Sequence, residues 1–277
     1  MKSKTKNSKF TVIGSGFIAT SLTEYLEKEK YQYAKLDLKS EKIPNRSLGN
    51  IIYAIGITLD FDKNWYKAVD AHVCKLIKLL KNSKFDSFLY ISSTRVYQHS
   101  ESTKEENPII LKPNQEHDVY NASKILGESI CLSLDDPSVR VVRLSNVIGN
   151  NFNSNLFLPM LLRNAVTSKK MIIKSTLDSE KDYVYIDDVV RILPRISLNG
   201  SERLYNVAYG KNIKTSEIVK KIQSFVKCNV SEEYRSTKFK LEPINIKRIS
   251  KEFQFKPVSV LGKIETLLNS YEKFFSN

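Results

Sequence analysis

Cysteine is scarce in this chain: its three copies, Cys74, Cys131 and Cys228, are odd in number, widely spaced and set among apolar neighbours. That argues against a disulfide framework, gives no metal-ligand spacing, and suits reduced, buried thiols in a cytoplasmic protein. No apolar run approaches the roughly 20 residues that a membrane-crossing helix needs. The opening MKSKTKNSKFTVIGSGFIATSL has the basic head and apolar follow-on of a secretion signal, but two glycines and a threonine interrupt the apolar part. Internal repeats and low-complexity linkers are also missing, so the chain is not a repeat array. Acids are outnumbered, 30 against 44 Lys and Arg, for a net charge of +14. The lysines are scattered instead of gathered in one block, so the excess reads as solvated helix faces and not as a nucleic-acid surface. Either way it exerts a modest pull on a phosphate-bearing substrate.

What is present is material for a substantial core. The chain has 277 residues, 41% hydrophobic and 27% charged. This is the profile of a soluble globular protein, with one large domain or a large and a small one.

The stretch from Phe85 to Leu144 organises the rest. It reads FDSFLYISSTRVY, a polar loop, DVYNASKILGESICLSL, then VRVVRL, which is strand, loop, helix, strand. A hydroxyl pair, Ser92 and Ser93, stands where the first strand ends, and Tyr120 and Lys124 lie four apart on one helix face. Serine, phenol and lysine are the groups to move a proton on and off an alcohol while a hydride moves elsewhere. Three Tyr-x-x-x-Lys pairs occur, where roughly two are expected by chance. Tyr31/Lys35 lies in a strand-like segment and Tyr234/Lys238 in a charged stretch without an apolar stripe. Only Tyr120/Lys124 follows a serine-bearing strand end and precedes a strand that reads as buried.

Upstream, residues 1 to 9 are a basic lead-in, and Phe10 to Ile13 is a short apolar strand. It runs into Gly14-Ser15-Gly16-Phe17-Ile18-Ala19, and Ile18, Leu22, Tyr25 and Leu26 then repeat at helical spacing. Such a glycine turn lets backbone N–H groups at a helix N-terminus approach a pyrophosphate, and Ala19 is small enough for the third glycine position. The strand Tyr31 to Leu36 ends at Asp37, about where an acid would hold the adenosine ribose hydroxyls. Asp37 favours NAD, since a carboxylate repels a 2′-phosphate; Lys39, Lys42 and Arg46 nearby leave NADP open.

Ile51 to Ile55 is a strand ending at Gly56, and Trp65 to Leu80 an amphipathic helix. Between Val96 and Tyr120 lies a functional-length surface loop. SNVIGNNFNSN reads as a turn segment at a strand end, and Lys181 to Asp188 leads into a helix capped by acids. Phe157 to Val166, Ser216 to Val226, Ile249 to Phe253 and Val260 to Phe274 are helices; Met171 to Ile173 and Leu204 to Val207 are strands.

In the order GSGFIA, YISSTRVY, YNASK, RLSNVIG, KDYVYIDDVV, LYNVAYG and RISKEFQFKP, nearly the whole chain resembles the extended short-chain dehydrogenase/reductases, the NAD-dependent epimerase/dehydratases that act on nucleotide sugars. The resemblance implies an α/β fold, a Rossmann-type doubly wound parallel sheet with a smaller C-terminal α/β substrate-binding lobe. Residues 1–150 would form the NAD(P)-binding domain, with 179–210 returning to it, and 151–277 mainly the lobe. Ser93 would be the catalytic hydroxyl, Tyr120 the acid/base and Lys124 its partner. The lysine and the positive nicotinamide ring would lower the tyrosine toward neutrality. Cofactor contacts would come from Gly14, Gly16, Phe17, Ile18, Asp37, Ala54, Tyr120 and Lys124. Substrate contacts would come from Ser93, Asn146, Lys181 and Arg235, with no metal. A homodimer would form through Trp65 to Leu80 and Tyr120 to Leu134.

Departures narrow the reaction. Dehydratases of this family follow the hydroxyl with an Asp-Glu pair, here Thr94 and Arg95, which argues against 4,6-dehydration. The 3,5-epimerase/reductases carry cysteine where Arg95 stands. What is left is a 4-epimerase or a 4-ketoreductase of a nucleotide sugar. The segment from Asp37 to Ile51 is too short for the helix and strand that relatives fit there. The competing expectation is a non-catalytic dinucleotide-binding sensor, or a protein that binds nucleic acid through its basic surface.

Overall fold

The computed structural model describes residues 8–38, 46–57, 64–115 and 118–276, with the backbone alone for 234–237. The lead-in up to residue 7, Lys39 and Lys42 lie outside the described residues. The chain divides into two compact units. The first comprises Met1–Ser100, Glu105–Leu144 and Val189–Val207; the second comprises Glu101–Lys104, Ser145–Asp188 and Ala208–Asn277.

Labels below follow chain order. The first unit carries β1 (Lys9–Ile13), α1 (Phe17–Lys28), β2 (Gln32–Leu36), β3 (Asn50–Tyr53), α2 (Trp65–Val69), α3 (Lys75–Asn82), β4 (Ser87–Ser93), α4 (Asp118–Ser133) and β5 (Val139–Leu144). The second unit opens with β6 (Asn146–Ile148), α5 (Phe157–Thr167), β7 (Lys170–Ser175) and β8 (Glu180–Tyr185). Then come α6 (Ile186–Asn199), most of it in the first unit, and β9 (Leu204–Val207), also there. The second unit resumes with β10 (Asn212–Lys214), α7 (Thr215–Gln223), β11 (Asn229–Thr237), α8 (Lys247–Phe253) and α9 (Ile264–Ser276).

The sheet of the first unit is all parallel, in the order β2-β1-β3-β4-β5-β9, which is the Rossmann-type architecture. Its central strands are short apolar runs buried almost end to end, as strands covered on both faces must be. Phe88, Tyr90, Tyr53, Ile51, Val139 and Val141 share one core cluster. In-register pairing, with Ser93 opposite Leu144 and Leu144 opposite Val207, lines up the carboxyl ends, where an open α/β sheet holds its ligands. Among the described residues β2 and β9 are the edge strands, and β2 at the edge is in keeping with the short connection after Asp37.

The amphipathic helix expected from Trp65 is interrupted. Asp70–Cys74 forms a π-turn between α2 and α3. The phenols of two strand tyrosines reach into it: Tyr53 donates to the Ala71 carbonyl at 2.6 Å and Tyr90 to the His72 carbonyl at 3.3 Å. Donors inserted into a helical ladder widen it in this way.

The second unit holds a three-stranded sheet, β10-β8-β6, and the parallel pair β7 and β11. Three segments therefore differ from expectation. Asn146–Ile148 is a strand instead of a turn, Glu180–Tyr185 is a strand before its helix begins, and Asn229–Thr237 is a strand in the charged stretch. Among the described residues no helix is long and apolar enough to cross a membrane.

Candidate active site

At the first crossover of the sheet the chain leaves β1 through Gly14, whose φ of 127° is open to glycine and strained for other residues. A Cβ at Gly14 would also sit 2.9 Å from the Ala54 carbonyl oxygen, so this turn lies directly against the end of β3. Gly16 caps α1 with extended backbone, and nothing lies within 4 Å of where its Cβ would be. The helix has no acid in its first turn and no side-chain cap. Its leading N–H groups, with Ser15 and Gly16 exposed beside them, keep the positive end of the helix dipole available to an anion. Phe17 and Ile18 are half-buried in that first turn, Ala19 is buried, and Asp37 follows β2 half-buried. The cradle and the acid thus suit a dinucleotide.

Ser93 ends β4, half-buried, and its Oγ accepts the Arg95 N–H at 3.2 Å. The Ser93 and Tyr120 side chains are hydrogen-bonded to each other. One helical turn on, the buried Lys124 Nζ donates to the Ile91 carbonyl at 2.9 Å and lies 5.3 Å from the centre of the Tyr90 ring. A Cβ on Gly56 would be 4.0 Å from the same Nζ, so the segment following β3 and β4 itself both approach this ammonium. Burial pushes Lys124 down to about 7, while the Glu128 carboxylate pulls it up. The tyrosine behaves differently from the expectation that a lysine would lower it. Burial raises Tyr120 above its ordinary value, and the Ser93 hydrogen bond and the charge of Arg95 pull it back only in part. With its phenol in the protein interior, the cost of desolvating a phenolate outweighs the neighbouring cation.

Of the two serines, Ser92 is taken up elsewhere. Successive strand residues face opposite sides, and Ser92 Oγ donates to Glu128 Oε1 at 2.5 Å, inside the protein. Glu128 forms a two-pronged pair with Arg143 on β5: Nη2 to Oε2 is 2.6 Å, and Nε lies 3.1 Å from either oxygen. Arg143 Nη1 continues to the Tyr97 hydroxyl at 2.7 Å, which in turn donates to Asn206 Oδ1 at 2.9 Å. The sequence reading missed this network. Glu128, one turn after Lys124 on the same helix face, and Arg143, buried in the strand VRVVRL, were its visible traces. Gly127, next to Glu128 on α4, packs against Tyr90: a Cβ there would overlap the Tyr90 hydroxyl and come within 2.9 Å of the His72 carbonyl oxygen.

The other expected substrate residues belong to the second unit. Asn146, exposed on β6, donates through Nδ2 to the Asp182 carbonyl at 2.8 Å. Asp182 accepts in addition from Ser145 Oγ and from the Tyr209 and Gly210 N–H groups; burial pushes its carboxyl up against those hydrogen bonds. Lys181 holds its ammonium 4.7 Å from the Phe239 ring centre and 5.5 Å from that of Phe157. Arg235 lies on β11, and its side chain is outside the described residues.

A parallel sheet with a glycine turn at its first crossover, and serine, tyrosine and lysine gathered at its strand ends, is a Rossmann-type fold of the short-chain dehydrogenase/reductase kind. The model of the NAD dependent epimerase/dehydratase family matches residues 63–208. That is more than half of the chain, and the chain belongs to this family. Two curated relatives align with it. The dTDP-D-glucose 4,6-dehydratase of Dictyostelium discoideum is 26% identical over 159 residues, 53% of this chain and 37% of that protein. The dTDP-4-dehydro-6-deoxyglucose reductase of Escherichia coli is 24% identical over 172 residues, 59% of this chain and 53% of that protein. The aligned stretches thus cover well under two thirds of either relative. Among solved structures, RMD from Pseudomonas aeruginosa, complexed with NADPH, superposes with a TM-score of 0.79 at 20% identity, over 97% of this chain and 100% of that one.

Proposed function

We propose that the chain is an NAD(P)-dependent enzyme acting at C4 of a nucleotide-linked sugar, as a 4-ketoreductase or a 4-epimerase. The observation that carries this reading is the hydrogen bond between the Ser93 and Tyr120 side chains, one helical turn from the buried Lys124 ammonium. The turn at Gly14 and Gly16, with Phe17 and Ile18 opening α1, would hold the pyrophosphate, and Ala54 would flank it. Asp37 would hold the adenosine ribose, which favours NAD; Arg46 and the lysines near it keep NADP open, and RMD was solved with NADPH. When bound, the nicotinamide gives or takes the hydride.

Tyr120 carries its proton at neutral pH because burial raises it. It hands that proton to the sugar oxygen as the carbonyl carbon gains a hydride, so that a ketone becomes an alcohol; in the reverse step it takes the proton back. Ser93 hydrogen-bonds the same oxygen, and Lys124 orients the ribose beside it. A protonated phenol is the form that donates in the reducing half-reaction, which a ketoreductase and an epimerase share. Elimination of water is disfavoured because Thr94 and Arg95 offer no carboxylate beside Ser93. Asn146, Lys181 and Arg235 would contact the sugar diphosphate. Self-association as a homodimer is supported by Ile77 on α3 and Val119 and Leu126 on α4, which expose 38%, 46% and 50% of their surface; a monomer in sedimentation equilibrium would refute it. The thiols of Cys74, Cys131 and Cys228 are free, as a cytoplasmic setting would have them, but only Cys131 is buried as expected; Cys74 is exposed and Cys228 half-buried.

The test is a panel of nucleotide sugars and their 4-keto forms, followed at the absorbance of reduced nicotinamide. A ketoreductase consumes NAD(P)H stoichiometrically, whereas an epimerase needs it only in catalytic amount. Tyr120→Phe is expected to lower kcat about 100- to 10,000-fold with cofactor binding intact. Near-normal turnover by that variant sinks the assignment. No turnover, together with salt-sensitive binding to DNA or RNA, would favour a non-catalytic dinucleotide-binding protein instead.

A further inference from the structure

His72 lies in the π-turn between α2 and α3 and is wholly buried. Its ring meets the Tyr120 ring at a right angle, 85° between planes and 5.3 Å between centroids, the edge-to-face arrangement that aromatic quadrupoles prefer. Nδ1 is 2.8 Å from Ser123 Oγ, and that hydroxyl is 2.8 Å from the Tyr120 carbonyl. Among the described residues Nε2 has no hydrogen-bond partner.

These distances fix the proton. Ser123 has one hydroxyl hydrogen, and it is directed at the Tyr120 carbonyl, so towards His72 the oxygen can only accept. The proton therefore sits on Nδ1. Placing it on Nε2 would bury an N–H without an acceptor, which is rarer and costlier than an acceptor left unpaired. The result is a continuous chain from imidazole N–H to serine oxygen to the backbone of Tyr120, while the imidazole and phenol rings meet at a right angle. Burial, and then the nearby Lys124 ammonium, push the imidazole down to about 2, so it stays neutral.

We propose that His72 is a positioning residue for Tyr120: as a neutral Nδ1–H imidazole anchored on Ser123, it sets the plane of the phenol ring and so aims the hydroxyl at Ser93. The π-turn brings the ring to this depth, and the phenols of Tyr53 and Tyr90 hold the turn open. The inference rests on the reading of Tyr120 as the proton donor, and two of its tests need no turnover.

The first is long-range proton–nitrogen NMR of the labelled protein, which has only three histidines to assign. His72 should show a protonated Nδ1 and a bare Nε2 throughout about pH 6 to 8. A proton on Nε2, or an imidazolium in that range, overturns the proposal. The second is a crystal structure of His72→Leu, in which the Tyr120 hydroxyl should have left Ser93; an unmoved phenol overturns it. The third is kinetic. His72→Leu should lower kcat about 100-fold, with KM for cofactor and sugar nucleotide within about twofold. His72→Phe, which keeps a ring against Tyr120 but loses the anchor, should fall between Leu and wild type. A fall in melting temperature with unchanged kcat would mean that His72 only stabilises the fold, and would also overturn the proposal. If His72→Leu does not fold, His72→Phe and the NMR result decide. If the wild type itself turns over no nucleotide sugar, the functional reading fails separately, and the NMR and crystallographic outcomes still judge His72.

Discussion

Ser92 and Ser93 are neighbours at the end of β4, yet they serve two different regions. Ser92 faces inward to the Glu128–Arg143 pair, where Ser92, Tyr97 and Asn206 are themselves buried side chains and the charges cancel. Ser93 faces Tyr120, in a place where a phenol is raised and an ammonium is lowered by burial, and among the described residues no carboxylate pairs directly with Lys124 Nζ. The inner region is matched in charge and so resists disturbance. The outer one makes the charged forms of its titrating groups costly, as suits groups that change protonation during a reaction. The difference is one of solvation and pairing, imposed by the two-residue period of a strand.

Disrupting the inner region should have the largest consequence for folding. Glu128→Gln leaves the Arg143 guanidinium buried without its counter-charge, and should cost about 3–5 kcal/mol in a denaturant titration. Replacing both partners with apolar residues, as in Glu128→Leu with Arg143→Met, should cost much less; an equal loss would mean that shape, not charge, carries the network.

The outer region should respond in rate and hardly in stability. Ser93→Ala is expected to lower kcat by about 100- to 1,000-fold while the unfolding midpoint stays put. Ser92→Ala should do the reverse, costing roughly 1–2 kcal/mol with kcat nearly unchanged. A Ser92→Ala enzyme as slow as Ser93→Ala would erase the distinction between the two faces.

Lys124 gives the comparison a pH signature. Its folded value of about 7 lies below the ordinary 10.5, so above neutrality the unfolded chain binds the extra proton. The lysine's contribution to stability therefore rises as pH climbs from about 7 towards 10.5, and is least favourable below 7. Lys124→Met should gain stability at neutral pH relative to wild type, and the gain should shrink between about pH 7 and 9. A pH-independent difference between the two proteins would show that the ammonium is better solvated than its burial implies.

Much of the first unit was legible in the sequence, because buried parallel strands are apolar throughout and the glycine turn has a mechanical reason for each of its residues. Ser93, Tyr120 and Lys124 were legible because strand end and helix face order them. Which serine faces the tyrosine was legible only through the family resemblance, since one residue of register separates the two. The π-turn was invisible because Ala68, Ala71, Leu76 and Leu79 keep an apolar stripe across it, and its cause is two phenols distant in sequence. His72 gave no signal of its own for the same reason. The strand β11, NVSEEYRST, escaped because its first residues are largely exposed and need no apolar alternation, and β8, EKDYVY, because its buried run passes directly into α6. The direction of the Tyr120 shift was misjudged because sequence names a charged neighbour but not the depth at which a phenol lies.

Gly127 ties these regions together through what it lacks. Tyr90 and the backbone of His72 occupy the space any side chain there would need, so even alanine would pry α4 away from the sheet and carry Tyr120 and Lys124 with it. A lineage could thus silence this protein by a single methyl group, leaving every reactive atom in its gene product unaltered and simply out of line.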